Sequence, residues 1–128
     1  VFNVPSRINS TWGGNLVDMV RSSKILEIID EDNLCQNAEE VGQYLQDNLK
    51  AISLVDDRIT NVRGKGLITA FDFEDNATRN LFISEGMKQN VMFLGCGTQT
   101  IRFRPALIIE KQHIDEGLHL MRNILKKL

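Results

Sequence analysis

The chain has 128 residues, which against the roughly 100 to 200 residues of an ordinary domain leaves room for one domain and no second one. Apolar residues make up 42% and charged residues 25%, the balance of a globular chain with a buried core rather than of a disordered one. Fifteen Lys and Arg against seventeen Asp and Glu give a net charge of -2, so no excess positive charge exists to wrap a phosphate backbone, and no nucleic acid partner is expected.

The apolar runs Val91–Leu94 and Ala106–Ile109 are far shorter than the about 20 residues a bilayer requires, so no membrane span is predicted. Cys35 and Cys96 stand in no CxxC or Cys/His cluster, which argues against a disulfide framework or a zinc site and for a reducing, cytoplasmic setting. Val1 to Arg7 carry no basic stretch, no long apolar stretch and no starting methionine. The expectation is a chain cut from something longer.

Residues up to Asn15 read as an irregular entry, with Gly13 and Gly14 just before a helical rhythm begins. Leu16, Met19, Val20, Ser23 and Leu26 mark one face of a helix to about Asp30. Leu34, Ala38, Val41, Leu45, Leu49 and Ile52 repeat the rhythm more cleanly after a break at Asp30 to Asn33. Two amphipathic helices are therefore predicted. The period then shortens: Ile59–Arg63 and Leu67–Glu74 read as the arms of a hairpin turning at Gly64-Lys65-Gly66. In the second arm Leu67, Phe71 and Phe73 share one face, with Asp72 and Glu74 on the other.

Asn76 is the expected N-cap of a third helix running to about Lys88. Val91–Leu94 and Thr100–Arg104 are predicted strands separated by Gly95-Cys96-Gly97. Ile114, Leu118, Met121, Leu125 and Leu128 line a last helix. The order ααββαββα implies an α+β fold in two layers, with helices covering a small, mostly antiparallel sheet.

In Thr100–Arg104 alternation sends Ile101 and Phe103 to the core and Arg102 and Arg104 to the opposite face. Two guanidinium forks suit a carboxylate or a phosphate. On spacing alone the blander alternative, a solvated face with acidic neighbours, is favoured. Ser10 and Thr11, just ahead of a helix N-terminus, have the groups of a phosphate cradle, while the plainer alternative is that Ser, Thr or Asn there only caps the helix. Trp12 is either a packing anchor or a pocket wall. His113 and His119 lie six apart, about 240° around a helix, so they cannot grip one metal ion. No metal site is expected.

Taken in order, Asn9-Ser10-Thr11-Trp12-Gly13-Gly14-Asn15, Asn61-Val62-Arg63-Gly64-Lys65-Gly66-Leu67-Ile68 and Ile101-Arg102-Phe103-Arg104-Pro105-Ala106-Leu107 resemble motifs of the class III, pyridoxal-phosphate-dependent aminotransferases. The likeness covers nearly the whole chain. Within the family, Arg7 to Arg21 and Leu94-Gly95-Cys96-Gly97 look most like the members acting on the ε-amino group of lysine. Ornithine and 4-aminobutyrate members usually carry a proline- and alanine-rich stretch where Leu16-Val17-Asp18-Met19 stands here.

The resemblance implies a fold-type I enzyme of which residues 1–14 are the tail of the large cofactor-binding domain and 15–128 the C-terminal small domain. It implies pyridoxal 5'-phosphate as cofactor, L-lysine and 2-oxoglutarate/glutamate as substrates, and a homodimer. Thr11, with Ser10 beside it, matches the residue binding the cofactor phosphate across the dimer interface. Arg102 matches the arginine that binds the substrate α-carboxylate, while no family role is carried to Arg104. Pro105-Ala106 departs from the two prolines of many relatives. No lysine here matches the Schiff-base position, so no catalytic residue is expected in this chain and by itself it should not transaminate. A stand-alone anion-binding domain is the reading of a different class.

Overall fold

The computed structural model describes Asn3 and residues 11–128. It divides into two compact units, Val1–Asn33 and Leu34–Leu128. The first holds α1, Leu16–Glu31. Asn15 caps it, its side-chain oxygen accepting from the Val17 N–H at 2.9 Å, which satisfies one of the N–H groups a helix start leaves unpaired. Here the structure departs from the single apolar face predicted. None of the residues of α1 is buried, and Leu16, Val17, Met19, Val20, Ile25, Leu26 and Ile28 are all exposed. At 100° per residue these positions run right around the helix instead of forming a stripe.

The second unit contains α2 (Leu34–Ser53), β1 (Thr60–Lys65), β2 (Ile68–Asp72), α3 (Asn76–Lys88), β3 (Leu94–Cys96), β4 (Thr100–Phe103) and α4 (Lys111–Leu125). Together with α1 this is the α+β order predicted, in a four-stranded sheet of order β1-β2-β4-β3 with every neighbour antiparallel. α2 buries the stripe the spacing marks: Val41, Leu45, Leu49 and Ile52. α4 buries Ile114, Leu118, Met121 and Leu125 of the expected stripe and Ile124 besides, while Leu128 lies past its end. These residues meet Ile59, Leu67, Phe71, Phe73, Phe82, Phe93 and Ile101 in one core.

The hairpin turns where Gly64 and Gly66 adopt φ of 152° and 54°, values that L side chains rarely take. Gly66 also lies so close to α2 that a Cβ on Gly42 would land on its backbone, so two glycines set the distance between helix and hairpin. The hairpin arms run Thr60–Lys65 and Ile68–Asp72 in place of Ile59–Arg63 and Leu67–Glu74, and three further boundaries differ from expectation. Asp75, not Asn76, is the N-cap of α3, accepting from the Thr78 N–H at 2.7 Å; Asn76 instead donates to the Thr98 carbonyl at 2.6 Å. The strand expected at Val91–Leu94 falls at Leu94–Cys96, because Gly95 and Cys96 pair with Ile101 and Thr100 and leave Gly97 to turn. β4 ends at Phe103, one residue before Arg104.

Candidate functional site

The face of the sheet opposite the core is built by strand alternation. Arg63 pairs with Ala70, Ala70 with Arg102, and Arg102 with Leu94. Directly opposed residues in antiparallel strands point to the same side, so Arg63 and Arg102 flank the small Ala70 side chain in one row. Two interstrand spacings, about 10 Å, separate their backbones. The next row runs Thr60, Asp72, Thr100, Cys96.

The two arginines differ in what they hold. Asp72, only 8% exposed, accepts from Arg63 Nη1 at 3.0 Å and Thr100 Oγ1 at 2.6 Å through one carboxylate oxygen, and from Asn61 Nδ2 at 2.7 Å through the other. Burial works against its charge, but the hydrogen bonds from Thr100, Asn61 and Arg63, with the Arg63 charge, outweigh it and hold the carboxyl below its ordinary range. Asp72 is therefore ionised at neutral pH. An irregularity in β1 between Thr60 and Arg63, with Asn61 at φ 50°, turns Asn61 and Arg63 toward this carboxylate, as bulges commonly re-aim side chains.

Arg102 is exposed and has neither an acidic partner nor a side-chain hydrogen bond among the described residues. Asp72, the acidic residue in the paired rows of this face, is engaged by Arg63 instead. Arg104, also exposed, lies outside the ladder, so the pairing of Arg102 and Arg104 expected from alternation is not enforced by the strand. The chemistry on offer at Arg102 is a preplaced fork for a carboxylate or phosphate.

Thr11 begins the turn ahead of α1 and is exposed, as is Trp12 at 76%, so within these residues Trp12 anchors no packing. Because Asn15 caps α1, the Thr11 hydroxyl is free of that duty. Ser10 lies outside the described residues. The histidines have local partners: His113 Nδ1 accepts from the Glu110 N–H at 3.3 Å, and His119 Nε2 meets Asn123 Nδ2 at 3.1 Å. A cleft of about 630 Å³ opens between α2 and the hairpin, with Cys35, Glu39, Gln46 and Lys65 in its walls. It excludes Arg102, and nothing in its walls gathers convergent charge.

Sequence reasoning singled out Arg102 and Thr11 but missed Arg63, Asn61 and Asp72 as a unit. The available signal was Asp72 between two core phenylalanines, nine residues after an arginine across a two-stranded turn.

The family model for aminotransferase class-III matches residues 1–125. The chain belongs to the class III aminotransferases. It is 41% identical over 126 residues to an L-lysine-epsilon aminotransferase of Amycolatopsis lactamdurans, covering 94% of this chain and 27% of that protein. A mitochondrial 4-aminobutyrate aminotransferase of Sus scrofa is more distant, at 34% over 124 residues, covering 96% of this chain and 25% of that one. Among solved structures, lysine aminotransferase from M. tuberculosis in the internal aldimine form superposes with a TM-score of 0.88 at 39% identity, over 98% of this chain and 29% of that one. The chain thus spans under a third of the length of these aminotransferases.

Proposed function

We propose that the chain is the C-terminal part of an aminotransferase moving the ε-amino group of L-lysine to 2-oxoglutarate, giving 2-aminoadipate 6-semialdehyde and glutamate. The observation that carries this reading is Arg102, an exposed guanidinium without an acidic partner among the described residues, in a chain closer to L-lysine-epsilon aminotransferases than to the 4-aminobutyrate enzyme. On this reading residues 1–14 end the large cofactor-binding domain and 15–128 form the small domain. The Schiff-base lysine and the acid beside the cofactor's ring nitrogen come from the longer protein. The active form is a homodimer, and its setting is cytoplasmic, in keeping with two free, exposed cysteines.

Pyridoxal 5'-phosphate, when bound, supplies the electron sink for the carbanion at the reacting carbon. This chain contributes hydroxyls and a cation. The Thr11 hydroxyl, exposed and not consumed by capping, suits a phosphate oxygen of the neighbouring subunit's cofactor, with Ser10 beside it. Arg102 takes the α-carboxylate of glutamate and 2-oxoglutarate and orients the α-carbon for amine transfer.

The full-length protein is expected to use L-lysine in preference to ornithine or 4-aminobutyrate as donor to 2-oxoglutarate. A preference for either of the others assigns it to another branch of the family. Thr11→Ala is expected to weaken cofactor retention by about 1 to 3 kcal/mol, the range for a lost charge-assisted bond, as measured by equilibrium dialysis. Unchanged retention with a less stable α1 would return Thr11 to a purely local role.

A further inference from the structure

Asp72 lies on the same face as Arg102, yet all its contacts lead elsewhere. One oxygen is shared by Arg63 and Thr100, the other is taken by Asn61. Thr100 precedes Arg102 by two residues on β4 and points to the same side. Arg63 occupies the same row as Arg102 with only the methyl group of Ala70 between them. Without Asp72 the face would offer two charged forks within reach of one small dianion, since long arginine side chains readily close the about 10 Å between their backbones.

Resting on the reading of Arg102 as the α-carboxylate residue, we infer that Asp72 is a specificity-determining positioning residue. It occupies Arg63 and tethers β4 through Thr100, so that a substrate carboxylate finds one docking point on this face instead of two. The distinction matters for a dicarboxylate. Glutamate and 2-oxoglutarate carry carboxylates at both ends, and a second free guanidinium would capture the distal carboxylate or pull the substrate off the geometry that places the α-carbon for reaction. A dicarboxylate bound across both arginines would be held more tightly and react more slowly.

The test is calorimetric binding of glutarate, with butyrate as the single-carboxylate control, to the full-length protein carrying its cofactor. Asp72→Asn keeps the size of the side chain and removes its charge. It is expected to tighten glutarate about tenfold, one additional charge-assisted contact, while butyrate changes by less than about twofold. In the same variant kcat for glutamate should fall while its KM also falls, the pattern of a tighter but misplaced ground state. Adding Arg63→Gln should restore the wild-type ratio of glutarate to butyrate affinity, because the competing cation is then gone. A merely structural role for Asp72 predicts the opposite: the double variant would be no better than the single one. Unchanged glutarate affinity in Asp72→Asn, or failure of the double variant to restore the ratio, overturns the inference. Should Asp72→Asn not fold, the double variant decides alone: a wild-type ratio supports the inference and a greater than fivefold departure overturns it. If Arg102→Ala leaves glutarate binding untouched in the otherwise native protein, it is the reading of Arg102 that has failed, independently of Asp72.

Discussion

Phe82→Ala is expected to cost about 3 to 5 kcal/mol of folding stability, the range for deleting a buried aromatic side chain and leaving a cavity. Phe82 is fully buried, with its ring centroid 4.6 Å from that of Phe93, 5.2 Å from Phe73 and 6.2 Å from Phe71. It is the one large side chain of α3 that is fully buried, with Gly86 buried beside it and Ile83 packed partly against the core. Truncation therefore empties the centre of the aromatic cluster and removes the largest buried side chain of α3 in one step. The ring cannot be replaced by collapse, because Phe71 and Phe73 are fixed at one register on β2 and its extension, and close-packed cores relax only partly. Thermal and denaturant unfolding of the 128-residue chain, followed by circular dichroism, measures the loss. A drop below about 1 kcal/mol would mean that α3 is held by something other than this packing.

Arg102→Ala in the full-length protein is expected to lower kcat/KM for the glutamate half-reaction by tens to hundreds of fold, taking about 2 to 4 kcal/mol for the loss of a preplaced charged donor. On the proposed reaction the two half-reactions place different groups beside the reacting carbon. Glutamate and 2-oxoglutarate put an α-carboxylate there, whereas lysine reacting through its ε-amine puts an uncharged methylene there. Only the first needs a guanidinium. Because Arg102 is exposed and unpaired among the described residues, binding a carboxylate does not require breaking an ion pair within this chain. The lysine half-reaction should suffer less. Single-turnover absorbance of the cofactor separates the two, and an equal loss in both, or a larger one for lysine, would move the α-carboxylate to Arg104 or to a residue of the longer protein.

Periodicity made most of this fold legible, and the reasons for its failures are local. α2 and α4 each bury one face against a sheet, so their three- and four-residue spacing reports directly on packing. α1 does not bury a single face, and its apolar residues on every side produced a pattern that a search for stripes read as one stripe. At Leu94–Cys96 the expected interruption is a strand because pairing with Thr100–Arg102 is a long-range choice, invisible to a window that treats glycine as punctuation. Asp75 displaced Asn76 as the cap since both residues suit that position and the Thr98 carbonyl claims the asparagine. The site divides in the same way. Arg102 was visible from alternation along one strand, whereas the Asp72 network joins β1, β2 and β4 through a left-handed Asn61, and the register that brings those strands together is not written in any one of them.

The central claim, that the longer protein transfers the distal amine of lysine, is tested most directly by following the nitrogen. The full-length protein, supplied with pyridoxal 5'-phosphate, 2-oxoglutarate and lysine labelled with nitrogen-15 at the ε-position, is expected to form glutamate carrying the label, with the α-nitrogen retained in the six-carbon product. Unlabelled glutamate formed from lysine would show that the α-amine is transferred, and that the carboxylate of lysine is the one Arg102 holds. No transfer from lysine under conditions where ornithine or 4-aminobutyrate delivers its nitrogen would contradict the lysine assignment itself.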